Sequence, residues 1–178
     1  MKTKIISISA ISASFIALFL VLGAYVSFLD LVSVIFASGF VMLPLYYKSY
    51  LGSILAYIAG AVLAFLISGF NIFSLVFPAF LVFFGIYPIV KCKAMEKGIN
   101  SALYTILTLI WCVAFCYGIY FFYTYIALNS FENLPKWVSD YLYIIIGVLG
   151  ILIYFLYDRC VIIVKRLLDF YLNKIIKK

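Results

Sequence analysis

Leu51–Phe70 reads LGSILAYIAGAVLAFLISGF, with no charged residue from end to end. A helix rises about 1.5 Å per residue, so a stretch of this length crosses the ~30 Å hydrocarbon core of a bilayer. The core offers the backbone no water, so the stretch must close its own hydrogen bonds as a helix. Within it Gly52, Ala56, Gly60, Ala64 and Ser68 recur at every fourth position. At 3.6 residues per turn they form one slowly winding small stripe. Lipid tails are as apolar as leucine, so helices in a bilayer associate through close backbone approach, which small residues permit. The stripe marks this helix as tightly packed, and these five residues as helix-packing positions.

Working outward, five more stretches share this character: Ile5–Val26, Leu31–Tyr46, Ile72–Val90, Ser101–Leu128 and Tyr141–Tyr157. The chain is 69% hydrophobic and 11% charged, with a mean hydropathy of +1.26. A soluble chain of 178 residues could not bury that much apolar surface. The expectation is an all-α polytopic membrane protein: a six-helix transmembrane domain over 1–157 and a basic amphipathic C-terminal helix over 158–178. The first stretch is read as a retained helix. Its apolar run is long for a signal peptide, and no convincing small-x-small cleavage site precedes Asp30.

The bases alternate with the connections. Lys2 and Lys4 precede the first stretch, Lys48 lies in the second connection, and Lys91, Lys93 and Lys97 lie in the fourth. Arg159, Lys165, Arg166, Lys174, Lys177 and Lys178 follow the sixth stretch. Of the 13 bases only Lys136 falls on the other side. Cytoplasmic loops retain Lys and Arg, so both termini are expected in the cytoplasm and the protein in the bacterial inner membrane. The net charge of +7 edges membrane segments, so its partner is anionic lipid, not nucleic acid.

Pro44 and Pro88 precede the expected inner loops Tyr46–Tyr50 and Lys91–Asn100, and each is expected to end or kink its helix. Pro78 falls mid-span. In the tail, Asp158, Arg159, Lys165, Arg166, Asp169, Asn173 and Lys177 share one side, and Val161, Val164, Leu167, Leu168, Tyr171, Leu172 and Ile175 the other. Such a helix either lies in the interface or extends the sixth helix onto inner loops or a partner. The first is the expectation, because its bases then reach headgroups.

No charge lies in the middle of any stretch, and there is no His. Intramembrane charges mark ion paths and proton relays, and acid–base catalysis needs titratable groups. No catalytic residue, metal site or cofactor is therefore expected, and the chain is read as no enzyme. Cys112 and Cys116 share a face of the fifth helix. Without His or a carboxylate at that depth they read as packing residues.

The first helix repeats the small pattern with Ser9, Ala13 and Ala17, flanked by Ala10 and Ser14. Residues 13–17, Ala-Ser-Phe-Ile-Ala, give Ala-x-x-x-Ala. In size, loop polarity and this motif the chain resembles the substrate-binding S components of energy-coupling-factor transporters. The resemblance implies a subunit that captures a vitamin-like solute from outside. It also implies a separate transmembrane coupling subunit driven by two cytoplasmic ATPases. Ala13, Ala17 and Ser9 would be the docking residues. The lack of His departs from metal-binding members. The chain is also similar to bacterial six-span proteins of unassigned function, through Phe84-Gly85-Ile86-Tyr87-Pro88-Ile89-Val90-Lys91 and Tyr157-Asp158.

Sixteen Tyr and 18 Phe are the remaining resource for a site. Tyr117, Tyr120 and Thr124 share one face of the fifth helix. One reading is an interfacial aromatic belt with Trp137 and Tyr141. The other is a pocket completed by Asp30, Asn71, Ser74 and Glu132, holding a flat ligand by stacking and hydrogen bonds. Two functions stay open. One is the solute-binding subunit of an uptake transporter. The alternative is a non-catalytic scaffold in an envelope-assembly complex, similar in size and topology to the rod-shape-determining small membrane subunit.

Overall fold

A computed structural model describes residues 2–69, 74–98, 100–125 and 136–176. Every regular element among them is helical. Helix α1 runs Lys2–Tyr25 and α2 Asp30–Tyr46, joined by a 3-10 turn at Ser27–Leu29. Helix α3 is Tyr50–Ile67, α4 Val76–Glu96, α5 Ser101–Tyr125 and α6 Lys136–Ile176. Five of these are long and apolar enough to cross a bilayer, which is the signature of a multi-pass membrane protein. The exception is α2, at 17 residues.

Local chemistry sets the ends. Asp30 places a carboxylate at the positive end of α2. Pro44 does not stop that helix, which closes two residues later at Tyr46. Lys48 then takes the left-handed conformation, φ 55°, and its N–H bonds to Leu45 O at 2.8 Å. Ser49 caps α3 by accepting from Gly52 N at 3.1 Å. Gly69 and Gly98, at φ 67° and 64°, turn the chain after α3 and α4 where a Cβ would be strained.

Helix α4 departs from the sequence expectation. The regular helix is interrupted at Gly85–Ile86, directly before Pro88, but the chain goes on as helix: the proline sits in the first turn of the segment Tyr87–Glu96, where its missing N–H costs no helical bond. Lys91–Glu96, expected in a loop, is helical. The irregularity comes earlier, as a π turn over Phe80–Phe84 closed by Gly85 N to Phe80 O at 2.9 Å. Its wider ring leaves room for Tyr57 of α3, whose hydroxyl donates to Leu81 O at 2.7 Å. The Tyr57 ring fills the space beside Gly85 that a Cβ would need.

The tail does not lie apart as an interfacial helix. It continues α6 without a break, giving 41 residues and a length of about 61 Å, roughly twice the bilayer core. A Cβ at Gly39 of α2 would stand 3.8 Å from Val164 Cγ1, and Val161 is buried. Part of the apolar face read from sequence, at Val161 and Val164, is thus used for packing against protein, while Leu167 is exposed.

The chain forms two compact units: Met1–Gly98 with Cys160–Lys178, and Ile99–Arg159. In the first, α1 packs against both α2 and α3. Phe15 stacks on Phe40 at 4.7 Å, and Phe19 on Phe36 and Phe40 at 5.4 and 5.6 Å. Ser53 of α3 donates to Val41 O of α2. Phe80, Phe83 and Tyr87 of α4 are fully buried. In the second unit α5 lies against the first part of α6, joined by Thr108 and Tyr154 hydroxyls at 2.8 Å.

Candidate functional site

The two small ladders meet each other. A Cβ at Gly60 would stand 2.6 Å from Ile16 Cγ2 and 3.0 Å from Ala13 O. One at Gly52 would stand 2.6 Å from Ser9 Oγ. Ala56, Gly60, Ala64 and Ser68 are buried, as are Ser9, Ala13 and Ala17. The seam α1–α3 is thus a close backbone approach within one chain, and at Ala13 the expected docking face is already covered by α3.

The serines of α1 explain how a hydroxyl-rich helix tolerates such surroundings. Ser7, Ser9, Ser12 and Ser14 each donate to the carbonyl four residues back, at 3.1, 2.9, 2.9 and 3.1 Å. With the hydroxyl satisfied inside its own helix, the residue presents only small bulk to a neighbour.

Along the outer side of the seam the helices diverge into an apolar groove of about 490 Å³. Ala10, Ala13, Gly52, Leu55, Ala56 and Ala59 line it. Ala10 and Ala59 at its lips are exposed, as is Ser14 nearby.

The tyrosines of α5 are engaged inside the second unit. Tyr117 donates to Tyr143 O at 2.9 Å. Tyr120 meets the Phe121 and Tyr143 rings at 5.7 and 5.6 Å. Thr124 donates to Tyr120 O within its helix at 2.8 Å. Tyr117 and Tyr120 tie α5 to α6. Of their expected companions, Asp30 and Ser74 belong to the first unit. Asn71 and Glu132 lie outside the described residues. Cys112 Sγ donates to Gly150 O at 3.7 Å, and Cys116 packs beside the same glycine.

Sequence reasoning missed a second concavity, formed by Tyr46, Tyr47, Lys48, Cys92, Glu96, Lys165 and Asp169 with apolar neighbours. These residues lie in three separate parts of the chain, so no local pattern joins them. The left-handed Lys48 carried no sequence signal either. Among the described residues, no group of three or more His, Cys, Asp or Glu stands close enough to hold a metal ion. In comparisons with known proteins, no family model, curated protein or solved structure matches this chain.

Proposed function

We propose that the chain is a non-catalytic subunit of a membrane transport complex. In it the protein spans the inner membrane six times with both termini in the cytoplasm. It holds a small organic solute and works beside a transmembrane coupling subunit with cytoplasmic ATPases. The observation that carries this reading is the apolar groove outside the α1–α3 seam. Its floor of Ala13, Gly52 and Ala56 and its exposed lips of Ala10 and Ala59 suit the close approach of another helix. Docking thus centres on the exposed Ala10 and Ala59, with Ala13 at the floor of the groove and Ala17 buried.

Native mass spectrometry of the detergent-purified complex tests both halves, since partner and retained solute register together. Ala10→Trp with Ala59→Trp fills the groove from two exposed positions. The variant should fold and keep its solute, yet lose the coupling subunit and uptake. A variant that keeps both partner and uptake would refute docking at this groove.

The scaffold reading has its own support in the second unit. The hydroxyls of Tyr117, Thr108 and Tyr154 brace α5 against α6, an arrangement suited to a stiff strut. Co-purification with envelope-assembly proteins and no retained solute would favour it.

A further inference from the structure

In the first unit, where Lys48 and Lys165 come together, the end of α2, α4 and the last part of α6 line an open cavity of about 550 Å³. Met42, Leu45 and Leu168 supply apolar lining. Lys48, Lys165, Glu96 and Asp169 bring both signs of charge to the same space. The Lys165 ammonium rests 3.9 Å from Met95 Sδ. The Tyr50 hydroxyl lies beside Glu96, and Cys92 stands within the field of Lys165, Glu96 and Asp169.

The mixed charge restricts the ligand. A simple anion would be drawn by two lysines and repelled by two carboxylates, and a simple cation the reverse. A molecule with an anionic and a cationic group answers both pairs at once. The apolar lining asks for hydrocarbon on the same molecule. A phospholipid carries all three, and the basic rim of a membrane helix bundle lies at headgroup depth. The cationic group is best a primary ammonium, whose three N–H donors match carboxylate acceptors. Tyr46 and Tyr47 stand edge to face at 5.3 Å, and Lys4 lies over the Tyr47 ring at 5.3 Å. A cation thus already occupies the aromatic face that would attract a quaternary ammonium.

We propose that this cavity binds a phosphate bearing a primary ammonium, as in the headgroup of an ethanolamine phospholipid, with phosphate at Lys48 and Lys165 and ammonium at Glu96 and Asp169. Free phosphoethanolamine offers the same chemistry without acyl chains. The inference is independent of the docking groove. Lys48 provides an unusually clean probe. Its φ of 55° is a position where glycine is preferred, so Lys48→Gly removes the charge while relieving the turn.

The test uses the full purified chain in detergent, titrated with ethanolamine, choline and glycerol phospholipids of identical acyl chains and followed by native mass spectrometry. The ethanolamine lipid should bind about tenfold tighter than either other, the scale of one or more charge-assisted hydrogen bonds. Lys48→Gly should weaken it about tenfold while the melting temperature holds or rises. Glu96→Gln with Asp169→Asn should turn the preference toward the anionic glycerol lipid. Competition by free phosphoethanolamine would show that the headgroup suffices. Ethanolamine-lipid preference without such competition would show that the chains contribute, and either supports the site. Wild-type affinity in Lys48→Gly, or equal binding of all three lipids by the natural chain, would overturn the proposal.

Discussion

Gly60→Ala adds one methyl group to the tightest point of the α1–α3 seam. The new Cβ would lie 2.6 Å from Ile16 Cγ2, 2.7 Å from Ile16 Cβ and 3.0 Å from Ala13 O. Ordinary contact begins at 3.4 Å, so the deficit approaches 1 Å. A rotamer change could move Ile16 Cγ2, but Ile16 Cβ is fixed to its backbone and Ala13 O belongs to the backbone. Relief therefore requires α1 and α3 to separate. A radial gap of 0.5–1 Å forfeits about a quarter to a half of each dispersion contact along the seam. Overpacking of this kind costs about 1–3 kcal/mol, against which alanine's better helix propensity returns less than about 1 kcal/mol. With about 1 kcal/mol net, the melting temperature should fall by roughly 2–4 °C. The control is Gly118→Ala on α5, where an added Cβ meets nothing within 4 Å. Thermal melting in detergent, followed by retention of monodisperse protein on size exclusion, compares the two. If Gly60→Ala melts at or above Gly118→Ala, the seam is not the close approach described, and the packing argument fails. Gly60→Leu should lose folded protein outright, while Leu63→Ala, at a position 44% exposed, should not.

Thr108→Val and Tyr154→Phe should each destabilise by about 0.6–1.7 kcal/mol, the range for a hydrogen bond between membrane helices. A double-mutant cycle checks the 2.8 Å bond between them, and strictly additive losses would show that it contributes nothing. Ser53→Ala should loosen α2 from α3 by a similar amount, because Val41 O loses its buried donor; unchanged melting would argue against that contact. Ala13→Trp with Ala17→Trp should abolish folding, since Ala13 faces α3 at its closest point, and recovery of folded protein would place that face outside the core. In a cysteine-free background, a single cysteine at Lys97 should resist membrane-impermeant reagent in intact cells, and labelling there would overturn the proposed orientation.

The ladder Gly52, Ala56, Gly60, Ala64 and Ser68 was legible because its spacing depends only on helical periodicity. Its partner was not, since a small face suits any helix that comes close. Sequence alone left Ala13 and Ala17 open to an outside subunit, and packing set Ala13 against α3. Pro88 shows a similar division. Its lost donor and steric limits are local facts, but they break a helix only when the proline falls in its interior. The π turn before it moved Pro88 to the first turn of a new segment, where the same facts favour helix.

Hydropathy and charge are sums over neighbouring residues, so the sequence by itself determined the helical class, the long apolar segments and the gathering of bases along the chain. The tyrosines of α5 were found, but which acceptor each hydroxyl meets depends on the helix beside it, and Tyr143 took Tyr117's. The amphipathic tail was legible as a pattern. Whether its apolar face meets lipid or protein is a competition between two apolar surroundings that periodicity cannot rank. Only the tertiary structure decided it for Val161 and Val164, by carrying α6 unbroken past Gly39 of α2. That path brings Lys165 and Asp169 of α6 to Lys48 and Glu96, far away in sequence, and makes one cavity of charges that the chain order keeps apart.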